Sequence, residues 1–226
     1  MIKTRSWCLL AVIIFGSCST SKLLTSNVRP TDITAIPKIE TLSYISLIER
    51  ANQGRYNDTL SNSAKELFGR VLDSFGSRIP LKGEIPVIDP VVRTKMEKEI
   101  EFLCISADRQ RSISSLKLTP ILDSLLEINQ QRFGLITVTA GFTRVGGNYG
   151  KQIAKGIGLG ILTLGMVYTT PVKANSTVYA MIIDSKNDNI AFFRKSALQD
   201  KDPLNEVVLK KQVYDIFNGY FWTDSQ

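Results

Sequence analysis

The sequence predicts an α/β (α+β) protein: a mixed, largely antiparallel sheet packed by amphipathic helices, following a cleavable leader and a tether. Three observations predict it. Residues 133–144 (FGLITVTAGFTR), 178–184 (VYAMIID) and 190–195 (IAFFRK) are rich in β-branched and aromatic residues and bounded by polar turns, the pattern of strands. Asp89-Pro90, Thr119-Pro120 and Asp202-Pro203 each set a capping side chain before a proline suited to the first helical turn. The N-terminus carries a basic, then apolar, then small-residue pattern unlike anything in the rest of the chain.

That N-terminus comes first in order. Lys3 and Arg5 precede an apolar run over residues 7–15, then Gly16, Ser17 and Cys18. The run is too short for a permanent span, which needs roughly 20 apolar residues, so residues 1–17 read as a secretory signal. Phe15-Gly16-Ser17-Cys18 resembles the lipobox of bacterial lipoproteins. The resemblance implies that the signal is removed and that Cys18 is acylated with palmitate-type chains. Each buried CH₂ contributes about 0.8 kcal/mol, so several chains make a firm membrane anchor. Ser19 stands where retained inner-membrane lipoproteins carry aspartate, which implies the outer membrane, facing the periplasm.

Of the three cysteines, Cys8 leaves with the signal and Cys18 carries lipid. Cys104 is then alone on a predicted helix, where it reads as a small buried hydrophobe and can form no intramolecular disulfide. Net charge is +7 and stays basic once Lys3 and Arg5 are gone. On an anchored envelope protein this favours anionic headgroups or cell-wall polymers, and no nucleic-acid partner is expected.

Residues 18–38, rich in Ser and Thr with Pro30 and Pro37 and no sustained period, read as a flexible tether. A single domain is expected over 39–222. It opens with a strand over 39–49 and a loop over 52–58. A capping box at Ser63 and Glu66 then starts a helix whose apolar face includes Leu67, Phe68, Val71 and Leu72. A short strand follows within 78–88, confined to an edge by Pro80 and Pro86. The helix from Pro90 buries Val92, Met96, Ile100 and Leu103, and the next, capped by Thr119, buries Leu122, Leu125 and Ile128 among others. The strand over 133–144 is expected to have one face buried and one wet. A hairpin over 178–195 and a last helix starting at Asp202-Pro203 complete the domain.

The strand FGLITVTAGFTR, the hairpin VYAMIIDSKNDNIAFF and the terminal amphipathic helix together resemble the small periplasmic domain of curli-secretion lipoproteins and of lipoprotein activators of penicillin-binding proteins. The resemblance implies a non-catalytic, lipid-anchored envelope lipoprotein whose domain binds a partner protein or a cell-wall component such as peptidoglycan.

The residue inventory points the same way. There is no histidine, which removes the usual general base, the Ser-His and Cys-His nucleophile systems and the commonest zinc ligand, so no enzyme, metal or cofactor is expected. Ser114 and Lys117 have SxxK spacing, but the companion motifs are absent and the spacing reads as coincidence. Gly146 to Lys151 is not a phosphate loop, because Val145 replaces the first glycine and Gln152 the hydroxyl residue.

Residues 146–172 form a glycine-rich stretch with no charge after Lys155 until Lys173. It is expected to be a buried crossover helix in which Gly156 and Gly160 form GxxxG and permit close backbone approach. The alternative is an oligomeric, membrane-inserting secretion or assembly lipoprotein that uses 150–172. On that reading Gly156, Leu159, Gly160 and Leu162 are the partner or membrane contacts, and a homo-oligomer is left open.

Overall fold

The computed structural model describes residues 18–50, 53–148 and 172–223. Within them lie four α-helices and a nine-stranded, mixed sheet. Its centre is the pair β7 (Phe133–Arg144) and β8 (Asn175–Asp184), antiparallel from Phe133↔Asp184 to Phe142↔Asn175. β9 (Asn189–Gln199) continues β8 as a hairpin. On the other side β7 is flanked in parallel by β3 (Ile36–Ile39) and β4 (Leu42–Arg50), two halves of one bent strand. β6 (Leu81–Ile85) pairs β3 at the outer edge, as its prolines predict, and β5 (Gln53–Tyr56) pairs β4.

The hairpin turn has a local cause. The Asp184 carboxylate is fully buried and accepts from both sides of the Arg132 guanidinium at 2.9 Å, and also from Lys186 N–H and the Asn187 amide. Asp188 closes the turn in the left-handed region, at φ 47°. A bulge opposite Ile182 and Ile183 then turns Ala191 and Phe192 to one face of the sheet and Ile190 and Phe193 to the other.

The helices form a layer on each face. α1 (Asp58–Asp73) and α4 (Glu206–Phe217) cover one, where Phe68, Leu72, Leu135, Ile182, Phe192 and Phe217 make the core. α2 (Pro90–Arg109) and α3 (Pro120–Ile128) cover the other, over Met96, Ile100, Leu122, Ile136, Met181 and Phe193. This double cover corrects the expectation of a wet face on β7. Phe133 to Thr139 are buried without interruption, and only the last five residues open to half-burial. Thr137 and Thr139 tolerate burial because their hydroxyls bond those of Thr41 and Ser43.

The expected tether over 18–38 is also corrected. β1 (Cys18–Thr20) and β2 (Leu24–Thr25) both pair antiparallel with β9, and Ile36 to Ile39 is a strand inside the sheet. Leu24, Val28, Ile33 and Ile36 are core residues. The segment lacks a period because it does not form one amphipathic element. It contributes backbone hydrogen bonds and single apolar plugs. Arg194 fixes it further, donating to Ser21 O and to the carbonyls of Ile216 and Asn218 at the end of α4.

Helix starts differ in detail from the expectation. α1 begins earlier, on Asn57, whose side chain accepts from Leu60 N–H. Ser63 lies inside α1, and residues 53–56 form β5 where a loop was expected. α2 starts as expected, with Asp89 accepting from Val91 N–H. Thr119 caps nothing with its side chain. Glu99 of α2 accepts from Ile121 and Leu122 N–H instead, so one helix caps its neighbour. The last cap is Asn205 rather than Asp202.

Candidate functional site

The two helix layers do not cover the sheet equally. On the α1/α4 face the cover reaches the upper ends of the strands, where Ser176, Val178 and Ser196 are buried. Gln212 of α4 accepts from the Ser176 hydroxyl and donates to the carbonyls of Ser176 and Ser196. On the opposite face a groove of about 450 Å³ lies between α2 and the strands β4, β7 and β8. Such a volume lies within the range of small-ligand and side-chain pockets.

The floor of the groove is apolar, formed by Leu42, Ile100, Cys104, Val138 and Ala140. The register supplies it: Leu42↔Val138 and Tyr44↔Ala140 on one side, Val138↔Tyr179 on the other, so alternate residues of three strands face α2. Tyr44, 43% exposed, and Tyr179 form the walls, and Ile105, 43% exposed, leans over from α2. The rim is charged, with Glu97, Glu101 and Asp108 along one side of α2 and Arg109 at its end.

These acids are not equivalent. Asp108 holds Lys195 at 2.6 Å, and the Lys195 ammonium also lies 5.7 Å from the Tyr179 ring centre. Glu97 and Glu101 are one helical turn apart, a spacing at which like charges repel, and among the described residues neither makes an ion pair. Burial raises the Tyr44 phenol above its ordinary value, and the charges of Glu97 and Glu101 raise it further. Burial likewise raises Tyr179, opposed by Lys195. The Cys104 thiol is pushed up to about 12, chiefly by burial and also by Asp108, so it remains protonated and is no nucleophile. The groove can hold an apolar group beside a cation.

A second hollow, of about 680 Å³, lies at the upper end of the sheet between Arg144, Lys173, Asp200, Lys201 and Asn205. Its polar groups are largely engaged in closing the chain. Arg144 donates to Val172 O and to the Asn148 side chain, and Asp200 accepts from Lys173 N–H.

Of the residues singled out from sequence, Cys18 is the first residue of β1, opposite Leu198. Gly156, Leu159, Gly160 and Leu162 lie outside the described residues, as does most of the expected crossover at 146–172. Lys117 pairs with Asp188 at 3.0 Å rather than with Ser114. Among the described residues no group of three metal-ligating side chains converges, and no helix is long and apolar enough to cross a membrane. The groove was missed at the sequence level. In the sequence Arg93 and Lys98 stand at helical spacing from Glu97 and Glu101, so nothing there marks the pair; the structure diverts Arg93 to Glu40.

No protein-family model and no curated protein matches the sequence. Among solved structures the chain is similar to two crystal forms of a PelC dodecamer from Paraburkholderia phytofirmans. One is 9% identical, with 92% of this chain and 99% of that chain covered and a TM-score of 0.37. The other is 10% identical over 91% of this chain and 100% of that chain, also with a TM-score of 0.37. A likeness of that size carries no argument about assembly or partner.

Proposed function

We propose that this protein is a non-catalytic, lipid-anchored lipoprotein of the outer membrane, facing the periplasm, whose α/β domain binds a partner protein or a cell-wall component. The observation that carries it is the coincidence of two features at one residue. Cys18 follows a basic, apolar and small-residue leader, and it also opens the first strand of the domain. Acylation there would hold the sheet edge directly at the bilayer, and the α2 groove would be the surface offered to the partner. Metabolic labelling with palmitate tests the anchor. Labelling is expected in the wild type and lost in Cys18→Ser; unchanged labelling in the variant sinks the reading.

A second reading, a membrane-inserting homo-oligomer using 150–172, is favoured by one feature. The chain leaves the upper end of β7 after Asn148 and returns to β8 from Val172, at the same end of the sheet as Cys18. Ion conductance abolished by deleting 151–172 supports it, and a soluble monomer on replacing Cys18 counts against it.

A further inference from the structure

We infer that the α2 groove is a docking site for a basic, amphipathic polypeptide segment of a partner protein, which lays apolar side chains on the Leu42–Val138–Ala140 floor and a lysine or arginine against Glu97 and Glu101. The inference deepens the partner-binding reading and rests on it only for the cellular context.

The occupant's chemistry follows from charge complementarity. Two surface glutamates one turn apart repel each other unless a cation lies between them. Several other carboxylates already hold cations and are not free to take one from a partner. Glu40 binds Lys65 and Arg93, Asp73 binds Lys38, Asp108 binds Lys195, and Asp215 binds Lys211. Among the described residues Glu97 and Glu101 pair with no cation, and they lie near the Tyr44 phenol beside an apolar trough whose far end carries Arg109. A phenol ring beside two carboxylates is a good receptor for an ammonium or guanidinium, whose methylene stem can lie on the apolar floor. Tyr44, Ile105 and the neighbouring Phe102, 59% exposed, supply apolar surface beyond the pocket for the flanking side chains of such a segment. An anionic lipid surface would be repelled by the same rim.

The test uses the full chain purified in mild detergent and a fluorescein-labelled 12-residue model helix of leucine and lysine, with its leucine–glutamate counterpart as control. The lysine peptide is expected to bind at about 0.1 M salt and the glutamate peptide not to. In the double variant Glu97→Gln, Glu101→Gln binding should weaken about five- to tenfold, as two solvent-facing ion pairs allow. Glu127→Gln, on the exposed side of α3, should leave binding unchanged. Equal binding by the double variant or equal binding of the glutamate peptide overturns the inference. Sedimentation showing self-association that the double variant abolishes would overturn it too, since the occupant would then be a second copy. None of these outcomes depends on lipid at Cys18, so the docking site and the anchor fail separately.

Discussion

The two faces of the sheet share the same three central strands and end in opposite conditions. On the α1/α4 face Phe192 stacks on Phe217 with ring centres 5.4 Å apart and meets Tyr220 at 4.7 Å, while Trp222 packs beside Phe75 and Tyr214. The cover is aromatic and continuous, and Gln212 seals its upper end. On the α2/α3 face the lower half is equally dry, but Ala140, Phe142, Thr177 and Tyr179 are only half-buried because no described helix lies over them fully. The difference separates two uses of apolar surface. A face that is completely covered holds the fold together, and a face left open at one end keeps apolar area in reserve for something else.

The sharpest way to break this comparison is to remove a ring from the sealed side. Phe192→Ala opens a cavity in the sealed face and is expected to cost about 3–5 kcal/mol in urea unfolding. A loss below about 1 kcal/mol would show that the aromatic cover is not what holds that face.

A second test is electrostatic and concerns the boundary between the faces and solvent at high pH. The Cys104 thiol has a value raised from 9.0 to about 12 in the folded chain. Between those values the unfolded chain has already released the proton and the folded chain has kept it. Stability is therefore fully present below about pH 9 and falls as pH rises toward 12, with a slope approaching 1.4 kcal/mol per pH unit for one such group. Tyr220, raised from 10.0 to about 12 by burial, adds the same trend from about pH 10 on the opposite face. Unfolding measured at pH 8 and pH 10.5 should show a smaller loss in Cys104→Ala than in the wild type. An identical loss would mean that the groove floor is wetter than its burial indicates.

The smallest effect is expected at the groove mouth. Ile105→Ala removes a side chain that is already 43% exposed and should change stability by no more than about 0.5 kcal/mol, while weakening the leucine–lysine peptide. A cost of several kcal/mol would make Ile105 a core residue and erase the contrast between the two faces.

Much of the frame was legible in the sequence, for physical reasons that also explain the misses. β7, β8 and β9 carry long β-branched and aromatic runs because buried strands need them, and α2 and α3 announce themselves through Asp89-Pro90 and Thr119-Pro120. The mixed, mostly antiparallel sheet followed from these elements. Residues 18–35 were not legible, because edge pairing through the backbone leaves no side-chain period and the plugs Leu24, Val28 and Ile33 are spaced irregularly. Asn57 outcompeted Ser63 as a cap because Ser61 is drawn into the core, where its hydroxyl accepts from Ile45 N–H. The groove was hidden for a different reason. It arises from where α2 crosses the sheet, and local sequence does not specify that crossing.

The pairing of β1 with β9 also has a mechanical consequence. If lipid on Cys18 bears load, the pull acts on a three-residue strand at the edge of the sheet, which gives way before any core strand. Peeling residues 18–23 releases roughly 20 Å of chain at about 3.3 Å per residue, while Leu24 and the segment behind it stay seated. The domain would thus carry its slack folded away, short at rest and extended under tension. Its reach from the membrane would be set by force rather than by a permanently loose linker.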